Sequence, residues 1–220
     1  FRTLQGLLQL ETTLQESENL TWTAAAAFST NRSDSFKSGR SFPLVSGGGN
    51  DGWSHSGFLK ISTNVGGFTG PLFWNTNAYF SQGIAGVTLD EHLHNLDVAG
   101  IEPGKARAVG ALTDIGLSLS PTTTINVRLA GQLAFSRLPG SMSFGLGSAV
   151  GLRGLPGSLI GGDSGYLATG EVVWTPWQKD EQKISLIPYL GIGGVHTATS
   201  VATLEDSIGV TGLIGRYQNG

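Results

Sequence analysis

Thr124-Ile125-Asn126-Val127-Arg128-Leu129-Ala130-Gly131-Gln132-Leu133-Ala134-Phe135-Ser136 alternates between two kinds of side chain. Ile125, Val127, Leu129, Leu133 and Phe135 fall on one parity, and Thr124, Asn126, Arg128, Gln132 and Ser136 on the other. Successive side chains of a strand project to opposite faces, so this segment reads as a strand with one greasy and one wet side. The segment before it behaves alike. Val109, Ala111, Ile115, Leu117 and Leu119 oppose Gly110, Asp114, Gly116 and Ser118, with Pro121-Thr122 as the turn between the two.

The same reading extends outward in both directions. Leu59, Ile61 and Val65 oppose Lys60, Ser62 and Asn64; Leu72, Trp74, Ala78 and Phe80 oppose Asn75, Asn77 and Ser81, with Gly70-Pro71 as a turn. Leu4, Leu8, Leu10 and Leu14 oppose Gln5, Gln9, Glu11 and Gln15; Trp22, Ala24, Ala26 and Phe28 oppose Thr21, Thr23 and Ser29. Three more strands are expected at about 165–176, 183–196 and 206–217, the last with the faintest alternation, which makes about nine. Ala24 to Ala27 has helical propensity, but Thr, Trp and Phe flank it in an alternating frame, so it reads as strand. No amphipathic helix is expected. Short connections near Asn19, Gly70-Pro71 and Pro121-Thr122 alternate with long ones at about 31–55, 84–104 and 137–163. Short turns at one end and long loops at the other describe an outer-membrane type of barrel. Trp22, Trp74, Phe135, Trp174 and Trp177 stand near strand ends, where aromatic girdles lie. The competing fold is a soluble all-β protein, whose strands average about five or six residues. The strands here are longer, and their wet faces carry Asn, Gln, Thr and Ser rather than Lys and Glu. The expected fold is all-β: an antiparallel transmembrane β-barrel, partial, with residues 1–220 as one barrel domain.

Composition agrees with this. The 220 residues hold 13 Lys+Arg and 16 Asp+Glu, a net charge of −3, and only 13% are charged, against about 25% in soluble domains. Five Trp, ten Phe and four Tyr argue against a disordered chain. A sequence pI near 5.8 argues against a nucleic-acid partner. With no cysteine there is no disulfide framework, Cys-based zinc site or thiol chemistry. No apolar run of about 18 residues suggests a transmembrane helix. The chain opens on Phe1-Arg2-Thr3 and closes on Arg216-Tyr217-Gln218-Asn219-Gly220 in mid-pattern, and so reads as a piece of a longer protein.

The long segment after Ser136 carries a specific pattern. Phe144-x-Leu146-Gly147 is followed by Leu152-Arg153-Gly154-Leu155, then by Gly162-Asp163-Ser164-Gly165 and a strand bearing Glu171. This order and spacing resemble the Omp85 superfamily, most closely its two-partner secretion branch. The motif match spans about 40 residues, while the barrel pattern covers nearly the whole chain. The resemblance implies a barrel of roughly sixteen strands, within the range of single-chain outer-membrane barrels, of which about nine would be present here. It also implies periplasmic domains ahead of the barrel, and a loop at about 137–163 that folds back into the lumen. The loop's arginine, here Arg153, would pair with an acid on the wall. The residues themselves favour such a role. A lumen arginine is costly unless paired, and its planar fork suits a carboxylate; the neighbouring glycines permit a tight reversal. The family often places that acid in a Pro-Phe/Tyr-x-x-x-Asp pattern on the strand after next. Here that strand reads Pro188-Tyr189-Leu190-Gly191-Ile192-Gly193-Gly194, with Gly193 at the acid position. Glu171, Asp163 and Asp114 are the candidate partners for Arg153, in that order.

Other chemistries are weaker. Gly162-Asp163-Ser164-Gly165 echoes a serine-protease nucleophile motif, but that family's Ala-Ala-His stretch is absent and no oriented base is recognisable among His55, His92, His94 and His196. His92-x-His94 would share a strand face as a metal pair does, yet in Leu89-Asp90-Glu91-His92-Leu93-His94 it reads as a solvated loop. Gly145-x-Gly147 and Gly47-Gly48-Gly49 lack the strand–helix context of a dinucleotide fingerprint. No cofactor, metal or catalytic residue is implied.

The function expected is protein translocation without chemical catalysis. The main reading is a pore that passes an unfolded, β-rich secreted client across the outer membrane of a Gram-negative-type bacterium. The alternatives are a barrel-assembly insertase of the same superfamily in that membrane or an organelle envelope and, from another class, a passive porin or structural barrel. Lipid and the unfolded client are the expected partners.

Overall fold

The computed structural model describes residues 2–34, 36–37, 40–41, 53–88, 90–98, 100–148, 151–155, 160–179, 181–198 and 203–219. The long strands are β1 (Arg2–Ser17), β2 (Leu20–Asp34), β5 (Trp53–Thr69), β6 (Leu72–Gly83), β7 (Arg107–Ser120), β8 (Thr123–Ala134), β11 (Ser164–Lys179), β12 (Gln182–Ala198) and β13 (Thr203–Asn219). They form one nine-stranded sheet in the order β1-β2-β5-β6-β7-β8-β11-β12-β13, every neighbour antiparallel. Two small ribbons stand apart, β3 (Phe36–Lys37) with β4 (Arg40–Ser41), and β9 (Phe144–Leu146) with β10 (Ile160–Gly162). The sheet is open, with β1 and β13 at its edges.

The two faces follow from register. Asp114, Arg128, Thr169 and Gly191 stand side by side across β7, β8, β11 and β12 on one face. Ile115, Val127, Gly170 and Leu190 do so on the other. The second face is broadly apolar and exposed: Leu8 is 67% accessible, Ile61 63%, Leu133 57% and Leu190 61%. A contiguous apolar surface of this reach has no place in water and fits lipid. Leu59, Leu129 and Phe135 are likewise exposed, while Leu117 and Trp74 sit half-buried on the same face. Strands of 12–17 residues span about 40–55 Å at about 3.3 Å per residue. Their length is more than the roughly 9–11 residues a tilted strand needs to cross a hydrocarbon core of about 30 Å.

The described turns bear out the short connections. Ser17 and Leu20, Thr69 and Leu72, and Ser120 and Thr123 are each joined by two residues, with Gly70 at φ 59°, where only glycine is unstrained. Trp22, Trp74, Trp174 and Trp177 stand at this turn end on the apolar face, joined by Tyr217 opposite Ile184. Trp22 Nε1 donates to Thr63 Oγ1 at 2.6 Å. A ring in the apolar layer with its polar tip satisfied is what an interfacial girdle requires. Phe135 lies at the opposite, long-loop end, just past β8.

Several sequence expectations change. A bulge between Thr13 and Gln15 sets Gln15, not Leu14, opposite Trp22, so strict alternation in β1 fails at its last turn. The 84–104 connection is not irregular: it holds a helix, α1 (Asp90–Val98), between two 3₁₀ turns. The helix ends in a Schellman motif. Ile101 N–H reaches Leu96 O, Gly100 N–H reaches Asp97 O, both at 2.8 Å, and Gly100 has φ 73°. Leu96 and Ile101 are each 4% exposed, the apolar contact that accompanies such a cap. His92 and His94 therefore lie two apart on a helix rather than on a strand. The Gly47-Gly48-Gly49 reading, and most of the 31–55 connection, lie outside the described residues. No described helix is long and apolar enough to cross a membrane.

The two faces should respond oppositely to charge. Leu129, 45% exposed near the middle of its strand on the apolar face, should cost about 2–4 kcal/mol when changed to Lys, while Leu129→Val stays near wild type. Asn77→Lys, on the polar face, should cost less than 1 kcal/mol. Reversible refolding of the full-length protein into vesicles reads both; equal costs on the two faces would contradict the assignment.

Candidate functional site

The segment from Leu138 to Asp163 leaves the end of β8, crosses the polar face and returns to start β11. Its descending limb contains a 3₁₀ turn (Gly140–Met142) and β9, its ascending limb β10, paired Ile160 to Leu146 and Gly162 to Phe144. At the tip, Leu152 N–H bonds Gly147 O at 3.1 Å and Gly151 N–H bonds Ser148 O at 3.2 Å. Gly151 and Gly154 have φ 123° and 79°. Both conformations exclude ordinary side chains, so the two glycines set the reversal that presents Leu152 and Arg153.

Those two neighbours point to different environments. Leu152 is fully buried with Leu146, Phe144, Leu167 and Val195, against Ile208 and Val210 of β13. Arg153 Nη2 donates to Glu171 Oε2 at 2.6 Å. Glu171 stands mid-β11 between Asn126 and Tyr189, and its other oxygen accepts Asn126 Nδ2 at 3.1 Å. The Arg153 side chain is 41% exposed and that of Glu171 20%, so solvent screens the pair and its net worth is about 1 kcal/mol rather than that of a dry ion pair. Beside it, Arg128 holds Asp114 with a two-pronged fork, Nε to Oδ1 at 2.6 Å and Nη2 to Oδ2 at 3.2 Å. Two cations and two anions thus line one cavity of about 430 Å³ with no net charge.

The other two candidate partners are engaged elsewhere. Asp114 is taken by Arg128 across the β7–β8 pair. Asp163, 7% exposed, accepts the Leu138 N–H on Oδ1 at 3.0 Å and so ties the loop's two feet together. Burial pushes the Asp163 carboxyl above its ordinary value, against the pull of the Leu138 N–H, Arg137 and His196. Within the second motif, Gly162 is buried against β12, where a Cβ would stand 2.9 Å from Val195 Cβ, and Gly165 packs under the Phe144 ring. Ser164 Oγ accepts the Ala134 N–H at 2.9 Å, a strand-end contact. Gly154 is exposed beside Tyr189 Oη, and Leu155 packs at the edge of the apolar cluster.

Gly193, the expected acid position, has its own physical reason. A Cβ there would stand 2.7 Å from Leu146 Cδ2, and one at Gly191 would stand 2.9 Å from Leu152 Cδ2. The wall strand is bare backbone where the loop's leucines lie. Sequence reasoning missed these contacts, and also Gln132, whose amide nitrogen reaches two loop carbonyls. Their signal was present as paired small residues on the inner parity of β12. Gly193→Asp should therefore not provide Arg153 with a new partner. It should displace Leu146 and cost about 1–3 kcal/mol of loop packing, read as faster proteolysis of the 144–155 segment in a barrel that still migrates as folded. Unchanged protection would contradict the cradle.

No protein-family model matches the chain, and no curated protein sequence does. Solved structures do. CdiB from Escherichia coli superposes with a TM-score of 0.77 at 13% identity, over 97% of this chain and 39% of that one. CdiB from Acinetobacter baumannii gives 0.64 at 13% identity, over 99% of this chain and 42% of that one. The chain spans well under half the length of either. At this identity the likeness is one of architecture: the fold of this chain is that of part of the CdiB β-barrel.

Proposed function

We propose that this chain is part of the barrel of an outer-membrane transporter of the two-partner secretion type, which passes an unfolded, β-rich client outward through the lumen. The client and the membrane lipid are its partners, and periplasmic domains ahead of the barrel would receive the client. The observation that carries the reading is the Leu138–Asp163 loop seated on the inner wall, its tip held by Arg153 on Glu171 at 2.6 Å. The likeness to CdiB supports it at the level of fold.

The chemistry required is modest. An unfolded chain carries its own unsatisfied amides and needs a wet, weakly charged path. The inner parity of β2, β5 and β6 provides Thr21, Thr23, Ser62, Asn64, Asn75 and Asn77, hydroxyls and amides that exchange hydrogen bonds with any sequence. The Arg153–Glu171 contact keeps the loop against β11–β13, the opposite part of the sheet, and neutralises a carboxylate that would otherwise face the pore. Nothing in this role calls for a nucleophile, metal or cofactor.

In the full-length protein at matched outer-membrane abundance, Arg153→Ala should lower export of its secreted client about tenfold, equivalent to about 1.4 kcal/mol. Arg153→Lys should recover little, since an ammonium lacks the planar fork that fixes the guanidinium's direction. Wild-type export by both variants would make the motif a bystander, and an export defect traced to lost barrel assembly would favour an insertion role.

A further inference from the structure

Gln132 sits on the inner parity of β8 and is 9% exposed. Its Nε2 donates to Met142 O on the loop's descending limb and to Asp163 O on the ascending limb, both at 2.9 Å. Its Oε1 accepts the Tyr79 hydroxyl at 2.7 Å. This pattern fixes the amide's orientation, because the reverse would set an oxygen against two carbonyls. Tyr79 is itself held in place. It lies directly across from Gly110, whose missing Cβ leaves room for the ring, and Lys60 Nζ sits 4.2 Å over the ring centroid. Two wall strands, β5 and β6, thus brace a side chain on a third, and that side chain grips both limbs of the loop at its base.

We propose that Gln132 is a positioning residue that sets the angle at which the loop enters the lumen, and so places Arg153 within reach of Glu171. Gln132 and Arg128 lie four residues apart on one strand face, about 13 Å, and Arg128 lines the cavity into which Arg153 points. The loop is therefore mounted at two points, base and tip. A single contact fixes a position; two separated contacts fix an orientation. No other side-chain amide among the described residues bridges the two limbs. The inference deepens the reading of the loop as the lumen element of a transporter, yet its geometry needs no client.

The chain contains no cysteine, so spin labels at Ser148→Cys on the loop and Ser120→Cys at a turn of the sheet report the loop's position by pulsed dipolar spectroscopy of the full-length protein in liposomes. The parent should give one narrow distance distribution. Gln132→Glu is nearly isosteric but turns two donors into acceptors facing two carbonyls. It should broaden the distribution at least twofold while heat-modifiable migration of the barrel is retained. Tyr79→Phe, which removes a single hydroxyl and keeps the ring, should broaden it in the same sense and less. It decides the matter should Gln132→Glu fail to fold. Parent-like distributions in Gln132→Glu, or in Tyr79→Phe alone where the first does not fold, overturn the proposal. Because no transport is measured, that failure is distinguishable from failure of the transport reading.

Discussion

A carboxylate on the wall of a lumen must be answered by a cation or left to water. Glu171 is answered by an arginine from 18 residues earlier in the chain. The pair holds the tip of the loop beside the buried Leu146 and Leu152, and the loop decides what the wall beneath it can be. Where the loop covers the sheet, the inner parity turns apolar or vanishes: Leu167, Gly191, Gly193, Val195, Ile208 and Val210. Where it does not, on β2, β5 and β6, the inner parity carries amides and hydroxyls, among them Thr21, Thr23, Ser62, Asn64, Asn75 and Asn77, alongside Ala25, Ala27, Lys60 and Phe73. A single sheet therefore has two inner surfaces, one built for protein contact and one for water.

This division explains the placement of small residues. Glycine costs backbone entropy in a strand, and a wall with many glycines needs a compensating contact. Gly191 and Gly193 are covered by Leu152 and Leu146. Gly110, Gly194 and Gly212 are each covered by the tyrosine directly across the ladder, Tyr79, Tyr166 and Tyr189. Aromatic rings laid over strand glycines restore the missing packing. The glycines serve as sockets, some for the loop and some for the wall's own rings.

The outer face was the legible part of the sequence, because lipid asks one thing of every residue that meets it. Alternation in β5 to β8 followed from that uniform demand. It faded in β13, read as the weakest strand, because Ile208 and Val210 point inward to the loop while Thr211 and Gly209 point outward. A strand covered on its inner side no longer contrasts its two faces. Helix α1 was missed because nine residues give periodicity little room, although Gly100 two residues past its end was a usable C-cap signal. At the site, Arg153 contacts Glu171, while Asp114 is held by Arg128 and Asp163 by the Leu138 N–H. What the chain alone did not reveal was why position 193 is glycine, since that reason is a leucine 47 residues away. Gln132 was equally hidden, because an amide in a wet stripe looks like its neighbours until its partners are known.

The central claim is that Arg153 and Glu171 act as one unit in seating the loop. A double-mutant cycle with Arg153→Ala, Glu171→Gln and both together, read by hydrogen–deuterium exchange of residues 144–155 in the full-length protein, tests it most directly. Contacting residues are non-additive, and distant ones add within about 0.3–0.5 kcal/mol. The account predicts that either single change speeds exchange and that the double variant exchanges no faster than the worse single, a coupling of about 1 kcal/mol. Strict additivity, or single changes that leave the loop as protected as the parent, would contradict it.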